Sequence, residues 1–217
     1  MPLQNRVLPT GEIVASPARG LMMGNRGGRF HRADRTLGPR RWASRAWIAC
    51  RLNFKGRHRP AMMMANSYTE LFFLDEATAL AAGHRPCFEC RRADADCFAR
   101  LWAGLRGGKE RASADEMDRA LHAERLAGPS GPDRWRALRD VPDGTIVEQD
   151  GPCLVLAGML LPWAITGYRP PLSGRPAAVR LITPPAIVAV ISAGYPPMVH
   201  PSAHPAAASM AVRSTLD

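Results

Sequence analysis

The sequence has almost no lysine: of its 29 basic side chains only Lys55 and Lys109 are lysines, and the others are arginines. Aromatic residues make up only 6% of the chain. No apolar run reaches the about 18 to 20 residues that a membrane helix needs, and the longest candidate, residues 153–165, contains Pro162. Residues 1–17 lack the apolar core of a secretory signal. These absences predict a cytoplasmic protein that does not act at a membrane.

Cysteine is also scarce, with five residues in a chain of 217. An odd number of cysteines in a reducing compartment argues against the disulfide framework of a small secreted protein. In such a compartment a closely spaced pair is more typical of a metal or redox site. Hydrophobic residues make up 46% of the sequence, which is enough for a packed core in one large domain or two small ones.

Acidic residues are nearly missing from the first quarter of the chain. Residues 1–59 contain 13 basic residues against two acids, Glu12 and Asp34, whereas the remainder contains 16 against 17. The formal net charge of +10 therefore lies at the N-terminal end. A basic stretch of this kind predicts a polyanionic partner, and arginine binds phosphate through two parallel hydrogen bonds. The alternative is a GC-rich genome, which raises Arg, Ala, Gly and Pro together.

The Gly- and Arg-rich residues 19–45 are predicted to form a loop, with turns at Gly24-Asn25 and Gly27-Gly28. Glycine allows backbone amides to approach phosphates, and arginine beside tryptophan can bind phosphate and stack on bases. We therefore expect nucleic acid as the partner, DNA in preference to RNA, with a protein partner as the alternative. The candidate contact residues are Arg26, Arg29, Arg40, Arg41, Trp42 and Arg45. The structural alternative is a solvated loop whose tryptophans dock into the core.

Local signals predict several strands and helices. Alternation over residues 47–54 predicts a half-buried strand with Ile48, Cys50, Leu52 and Phe54 on its apolar face. Helices are expected at residues 76–82, 93–105 and from the capping box at 113–116 to about 128. Asp150-Gly151 predicts a hairpin turn, followed by a strand at 178–182 and a helix at 184–193.

The sharpest motif is Cys87-x-x-Cys90. This spacing lets two thiolates face one metal ion at about 2.3 Å each. Two alternatives are a thioredoxin-like redox pair, which would follow a core strand and open a helix, and two thiols without a function. Here the pair follows a predicted helix and its terminal Gly83, which favours metal.

Residues 70–90 resemble the second half of the metal-binding domain at the N-terminus of Ada-type DNA repair proteins. In that family a strand and a short helix ending in Ala-Ala-Gly lead into Arg-Pro-Cys-x-x-Cys, as residues 81–90 do here. Small relatives of the domain are fused to nucleases and DNA-uptake proteins. The whole chain is also similar to a group of bacterial proteins that carry the same Cys-x-x-Cys turn, which we call the knuckle (residues 87–90). The resemblance implies the scaffold and a bound zinc ion.

The same family takes two further ligands, usually cysteines, from its first half. This chain has only Cys50 there, and Arg35 stands where the stretch beginning Phe30-His31 would be followed by a cysteine. We therefore predict Cys87, Cys90, Cys50 and His31 as metal ligands, with His58 as a further candidate. His31 is equally a candidate catalytic group. Ada-type domains use a zinc-bound cysteine to accept methyl groups from DNA, and no cysteine here matches that acceptor.

Residues 71–86 and 181–197 form a weak repeat of strand, short helix, Ala-Gly and Pro, and only the first copy continues into the knuckle. We expect an α+β fold, with a small mixed sheet and short helices around the zinc knuckle. The predicted divisions are a basic segment plus Ada-like domain at 1–127, a linker at 128–140, a strand-helix unit at 141–202 and a flexible tail at 203–217. The second unit is either a degenerate repeat or an ordinary strand-helix unit.

Three functions fit these patterns. The first is a zinc-binding module that contacts nucleic acid through its arginine-rich segment. The second is a metal-dependent enzyme that acts on phosphodiesters or alkylated nucleic acid, with His31 at its site. The third is a structural zinc protein with a protein partner.

Overall fold

The protein has a mixed α+β fold, as the sequence predicts. The computed structural model describes residues 1–56, 61–108, 110–128 and 134–204, and these contain two six-stranded sheets and four helices. His58, a predicted ligand, and most of the predicted tail lie outside the described residues. No helix in the described part of the chain is both long enough and apolar enough to cross a membrane.

The first sheet is mixed and has the order β2-β1-β5-β3-β4-β6. Its two parallel pairings are β1 with β5 and β4 with β6, and its other neighbours are antiparallel. The strands are β1 (Gln4–Val7), β2 (Ile13–Ala15), β3 (Met22–Arg26), β4 (Trp47–Arg51), β5 (Leu71–Phe73) and β6 (Arg85–Pro86).

Strand β3 lies where the sequence predicts a loop, and the predicted turn at Gly24-Asn25 is wrong. Gly24 lies inside the strand. Its position requires glycine because a Cβ there would lie 2.2 Å from the carbonyl oxygen of Ile48 on β4. The glycine therefore allows β3 and β4 to approach closely. Local sequence patterns do not distinguish such a glycine from one in a turn. The chain does turn at Gly27 and Gly28, whose φ angles are 77° and 143°.

The face assigned to strand β4 also needs correction. Trp47 and Ala49 are its buried residues, whereas Ile48 and Cys50 are half-buried and Leu52 is exposed. The strand is apolar on both faces, so alternation alone could not decide which face would meet the core. Cys50 consequently points away from the main core.

The helices follow their local signals closely. Asp75 caps α1 (Glu76–Ala81) by accepting a hydrogen bond from the Thr78 amide, and Gly83 follows with a φ angle of 79°. Ser113 caps α3 in the same manner, accepting from the amide of Glu116. The remaining bounds are α2 (Arg92–Gly104), α3 (Ala114–Ala127) and α4 (Pro185–Ser192).

The second sheet is antiparallel throughout, in the order β11-β10-β9-β8-β12-β7. The predicted hairpin joins its strands β8 and β9 at Asp150-Gly151, where both φ angles are positive. The strands are β7 (Trp135–Ala137), β8 (Ile146–Glu148), β9 (Pro152–Leu156), β10 (Met159–Ala164), β11 (Gly167–Tyr168) and β12 (Ala178–Leu181).

The segment at 128–140 that we predicted as a linker contributes to the second sheet. Strand β7 pairs antiparallel with β12, and residues 138–140 form a 3₁₀ turn. The Pro- and Gly-rich composition that suggests a linker belongs to residues 128–132, most of which lie outside the described residues.

The two copies of the weak repeat share a local geometry. After each helix a left-handed glycine, Gly83 or Gly194, is followed by an amide that bonds five residues back: His84 to Ala79 at 2.9 Å and Tyr195 to Val190 at 3.2 Å. The strands before the helices differ, because β5 has a parallel neighbour and β12 has only antiparallel ones. The likeness is therefore confined to the helix and its ends.

Helix α1 is buried along its whole length and lies between the two sheets. Ala79 and Ala82 pack against the first sheet, Ala77 and Ala81 pack against the second, and Leu80 joins a cluster formed with the other three helices. Small alanines fit this position because a helix enclosed on all sides has no room for long side chains. The two halves of the chain thus share their hydrophobic cores through α1.

Two adjacent carboxylates at the start of α1 hold the C-terminal segment. Asp75 accepts hydrogen bonds from the Tyr168 hydroxyl at 2.8 Å and the His200 amide at 2.9 Å. Glu76 accepts from the Tyr195 hydroxyl at 2.5 Å and forms a two-point ion pair with Arg91 at 2.6 and 2.8 Å. Burial raises the pKa of Asp75, although its hydrogen bonds oppose that shift.

We expect Glu76→Ala to lower the free energy of unfolding by about 3 to 5 kcal/mol, because it removes the buried two-point partner of Arg91 and leaves that guanidinium only the partly exposed carboxylate of Asp94. Denaturant unfolding followed by circular dichroism measures this. The control is Asp115→Ala, which breaks an exposed pair with Arg119 on α3 and should cost at most about 0.5 kcal/mol. Equal effects of the two substitutions would contradict a central role for the Glu76 pair.

Candidate metal centre

Three cysteines from separate parts of the sequence meet at one point. The sulfur atoms of Cys50, Cys87 and Cys90 all lie within 4.8 Å of one another. Cys87 and Cys90 are buried, and Cys50 is half-buried. Thiolates bound to a tetrahedral zinc ion at about 2.3 Å are separated by about 3.8 Å, so this cluster fits such an ion after a small adjustment. The cluster is a candidate metal site.

Strand pairing brings the three cysteines together. Strand β6 lies parallel to β4, with Ala49 opposite Pro86, and the amide of Cys87 then donates to the carbonyl of Ala49 at 3.0 Å. This hydrogen bond extends the pairing by one residue and puts Cys87 beside Cys50. Cys90 follows within the same turn, because the amide of Arg91 bonds back to the carbonyl of Cys87 at 3.0 Å. Helix α2 begins immediately afterwards.

Backbone amides point at the sulfur atoms. Glu89 donates its N–H to Cys87 Sγ and Arg51 donates its N–H to Cys90 Sγ, both at 3.4 Å. Hydrogen bonds of this kind stabilise thiolates. They give the turn the donors that sulfur ligands of a metal need around them.

The pKa values of the three thiols shift in different directions. The thiol of Cys50 bonds to Cys87 and Cys90, which raises its pKa far above the ordinary value. Accepting from Cys50 is the main reason that the pKa of Cys87 falls to about 5, and it also lowers the pKa of Cys90. Both shifts favour the thiolate forms of Cys87 and Cys90, and thiolates are the forms that bind a metal cation.

Within the described ranges no histidine, carboxylate or further cysteine belongs to this group. A cavity of about 110 Å³ borders all three cysteines, and it also contacts Glu89 and Tyr68. It is large enough for a water molecule or a small ligand atom. The described residues thus supply three sulfur ligands, and His58, the further candidate from the sequence, lies outside the described residues.

His31, which the sequence predicts as a ligand or catalytic group, lies apart from the cysteines. Its Nδ1 is 2.8 Å from the Thr69 hydroxyl and its Nε2 is 3.1 Å from the Met64 carbonyl. The Thr69 oxygen also accepts from the amides of Phe30 and His31, so the backbone and the ring of His31 are both tied to Thr69. Both ring nitrogens bind protein atoms, which gives His31 a structural position.

The predicted nucleic-acid contacts divide into one buried residue and five exposed ones. Arg26 is only 1% exposed and is enclosed by Trp47, His84 and backbone carbonyls, so its place in a surface contact is corrected. Burial, with added repulsion from Arg125 and Arg41, lowers its pKa to about 9. The exposed residues are Arg29, Arg40, Arg41, Trp42 and Arg45.

Comparisons of the chain with family models, with curated proteins and with solved structures find no match. The candidate site therefore rests on its own geometry. Sequence patterns identified the knuckle and one upstream cysteine. They missed the arginines Arg125, Arg134 and Arg180, which the fold brings close to Arg26, because these lie far apart in the chain and belong to no motif.

We expect the purified chain to hold about one metal ion, and Cys50→Ser, Cys87→Ser and Cys90→Ser each to lose it, because the cluster supplies three sulfur ligands. Elemental analysis of each variant measures this. Cys97→Ser and His31→Ala are the controls and should keep the metal, since both residues lie outside the cluster. Full metal content in Cys50→Ser would remove Cys50 from the ligand set.

Proposed function

We propose that this chain is a zinc-binding protein that contacts nucleic acid, DNA in preference to RNA, through the arginine-rich loop between β3 and β4. Zinc is the metal we assign because three clustered thiolates at a turn are typical of structural zinc sites. The Ada-type resemblance of residues 70–90 supports the same metal. The observed order of strand, short helix, left-handed Gly83 and knuckle is compatible with that scaffold.

The proposed role of the metal is structural. Zinc would hold Cys50, Cys87 and Cys90 as thiolates and so tie strand β4 to the turn before α2. The loop joins β4 at Trp47, three residues before Cys50, and a strand rises about 3.3 Å per residue. The metal would therefore lie about 10 Å along the strand from the loop, where it fixes the strand that carries the loop.

The observation that carries the nucleic-acid proposal is the state of the loop arginines. Arg29, Arg40, Arg41 and Arg45 are exposed, and none makes an ion pair with a carboxylate of the described residues. Trp42 lies among them with 38% of its surface exposed. Guanidinium groups without a carboxylate partner, beside an exposed indole, match the phosphate and the base of a nucleic acid.

The geometry favours binding over catalysis. The one histidine of this loop, His31, is 6% exposed and has both ring nitrogens bonded to Thr69 and Met64. A general base needs a free nitrogen within reach of its substrate. A metal-dependent nuclease or repair enzyme therefore remains the second candidate, and activity assays test it.

The test is duplex DNA binding measured by fluorescence anisotropy over a range of salt concentrations. We expect Arg40→Gln/Arg45→Gln to weaken binding and to reduce the slope of log K against log salt by about 2, because each phosphate contact releases roughly one counterion. RNA of the same sequence serves as the competitor. Stronger binding to RNA would reverse the assignment to DNA.

The matched control is Arg139→Gln/Arg169→Gln, which removes two exposed arginines from the C-terminal half. The net charge change is the same, so a non-specific electrostatic effect would lower binding equally in both double variants. An equal loss, or no binding by the wild type at low salt, would contradict the proposal. Cleavage of the DNA that is lost in His31→Ala would favour the enzyme alternative.

A further inference from the structure

A cavity of about 470 Å³ lies between the two sheets, and the arginine-rich loop forms one of its edges through Arg41 and Trp42. Its walls come from the end of β3, the C-terminal ends of α1 and α3, and strands β8 and β12. Its volume is in the range of about 300 to 1,000 Å³ that is typical of small-molecule sites, which often lie where two units meet.

The walls of this cavity are strongly basic. They contain two carboxylates, Glu124 and Glu148, and five guanidinium groups. The guanidinium groups belong to Arg26, Arg41, Arg125, Arg134 and Arg180. The excess of three positive charges in a partly closed space would attract a multiply charged anion.

Two of the arginines enclose the ring of Trp47. The guanidinium carbon of Arg26 lies 3.9 Å from the ring centroid and that of Arg125 lies 4.4 Å away. Arg26 donates to His84 Nε2 and to the carbonyls of Gly11 and Arg41. The two carbonyls carry no net charge. Burial of His84, together with Arg26 and Arg125 nearby, lowers the pKa of its imidazole well below the ordinary value, which favours the neutral ring.

Arg125 is in a similar position. It donates to the carbonyls of Gly83 and Arg45, and no ion pair within 4.0 Å joins it to a carboxylate of the described residues. Burial lowers its pKa to about 10. Elsewhere in the fold the buried Arg85 and Arg91 each have a bonded carboxylate, Asp118 and Glu76. Arg26 is buried and Arg125 is half-buried, and guanidinium charge withdrawn from water without a carboxylate is costly, which indicates a place for a bound anion.

The two carboxylates of the cavity already have hydrogen-bond partners. Glu124 accepts from the amide of Ala186 at 3.2 Å, and Glu148 accepts from the amide of Gly151 at 2.9 Å. Arg180 lies opposite Glu148 in the pairing of β12 with β8, yet no ion pair joins them in the described structure. The guanidinium group of Arg180 is thus available to a ligand.

One side of the cavity is apolar and carries an indole. Trp42 lies at its exposed edge, with its ring 5.9 Å from that of Trp47 and 5.8 Å from that of His122. Ile182 and Pro184 line the wall from the second sheet. This combination of a guanidinium cluster and an exposed flat ring suits a ligand with a phosphate at one end and a planar ring at the other.

We propose that the cavity between the two sheets binds a nucleoside monophosphate, with the phosphate among Arg26, Arg125 and Arg180 and the base against Trp42. A terminal phosphate carries two negative charges and accepts several hydrogen bonds, so it matches the charge excess better than a single carboxylate. The same terminal phosphate occurs in a free mononucleotide and at the 5′ end of a phosphorylated strand. The cavity shares Arg41 and Trp42 with the proposed DNA-binding loop but not Arg40 or Arg45, so variants of the latter two residues separate the two sites.

The experiment is isothermal titration calorimetry of the full chain with AMP, with adenosine and with inorganic phosphate. AMP should bind at least about tenfold more tightly than inorganic phosphate, because it engages both walls, and adenosine at about 1 mM should show no binding. No binding of AMP at several millimolar, or equal binding of AMP and adenosine, would overturn the proposal.

The variant that tests the location is Arg180→Gln, since Arg180 is half-buried, accessible and without a partner that folding needs. It should weaken AMP binding about tenfold or more, whereas Arg180→Lys should retain part of the affinity and Arg139→Gln should retain all of it. Matching thermal unfolding of the variants without ligand shows that they are folded. Unchanged AMP binding in Arg180→Gln would exclude this cavity.

Two further arms separate the sources of the phosphate. A single-stranded oligonucleotide with a 5′ phosphate is compared with the same oligonucleotide carrying a 5′ hydroxyl, in the wild type and in Arg40→Gln/Arg45→Gln. A free-mononucleotide site binds AMP equally well in both proteins and does not distinguish the oligonucleotides. A strand-end site prefers the phosphorylated end. AMP binding lost in Arg40→Gln/Arg45→Gln would contradict the cavity, because neither residue lines it.

Discussion

Helix α1 is the constraint on which the rest of the structure depends. Six residues long and buried on every side, it gives both sheets and the other helices a common core. A helix of this length has little stability of its own, so its hydrogen bonds and its capping by Asp75 persist only because the surrounding layers enclose it. The small side chains of α1 in turn set how closely those layers approach.

The two ends of α1 connect the cysteine cluster with the basic cavity. At its N-terminus Glu76 binds Arg91, which immediately follows Cys90 of the metal cluster. At its C-terminus the carbonyl of Gly83 accepts from Arg125, a wall of the basic cavity. The metal cluster and the cavity are therefore positioned by opposite ends of one short, rigid element.

Charge in this protein is arranged in two different ways. The buried arginines beside the metal knuckle, Arg85 and Arg91, each bind a buried carboxylate and so complete the fold. Arg26 and Arg125 instead bind neutral carbonyls and the face of Trp47. The first pair contributes to stability, and the second pair leaves positive charge that is not balanced by a bonded carboxylate. Composition alone does not distinguish the two pairs, because it counts every arginine in the same net charge.

The sequence by itself determined the features that depend on neighbouring residues: the caps of α1 and α3, the Asp150-Gly151 turn and the knuckle at Cys87 and Cys90. Local backbone chemistry decides these, so they are visible in short motifs. Only the tertiary structure decided which face of β4 is buried, that Cys50 joins the knuckle and His31 does not, and that Arg26, Arg125 and Arg180 share a cavity. These outcomes depend on strand pairing between distant segments, because pairing sets which side chains face one another and short-range patterns carry no record of it.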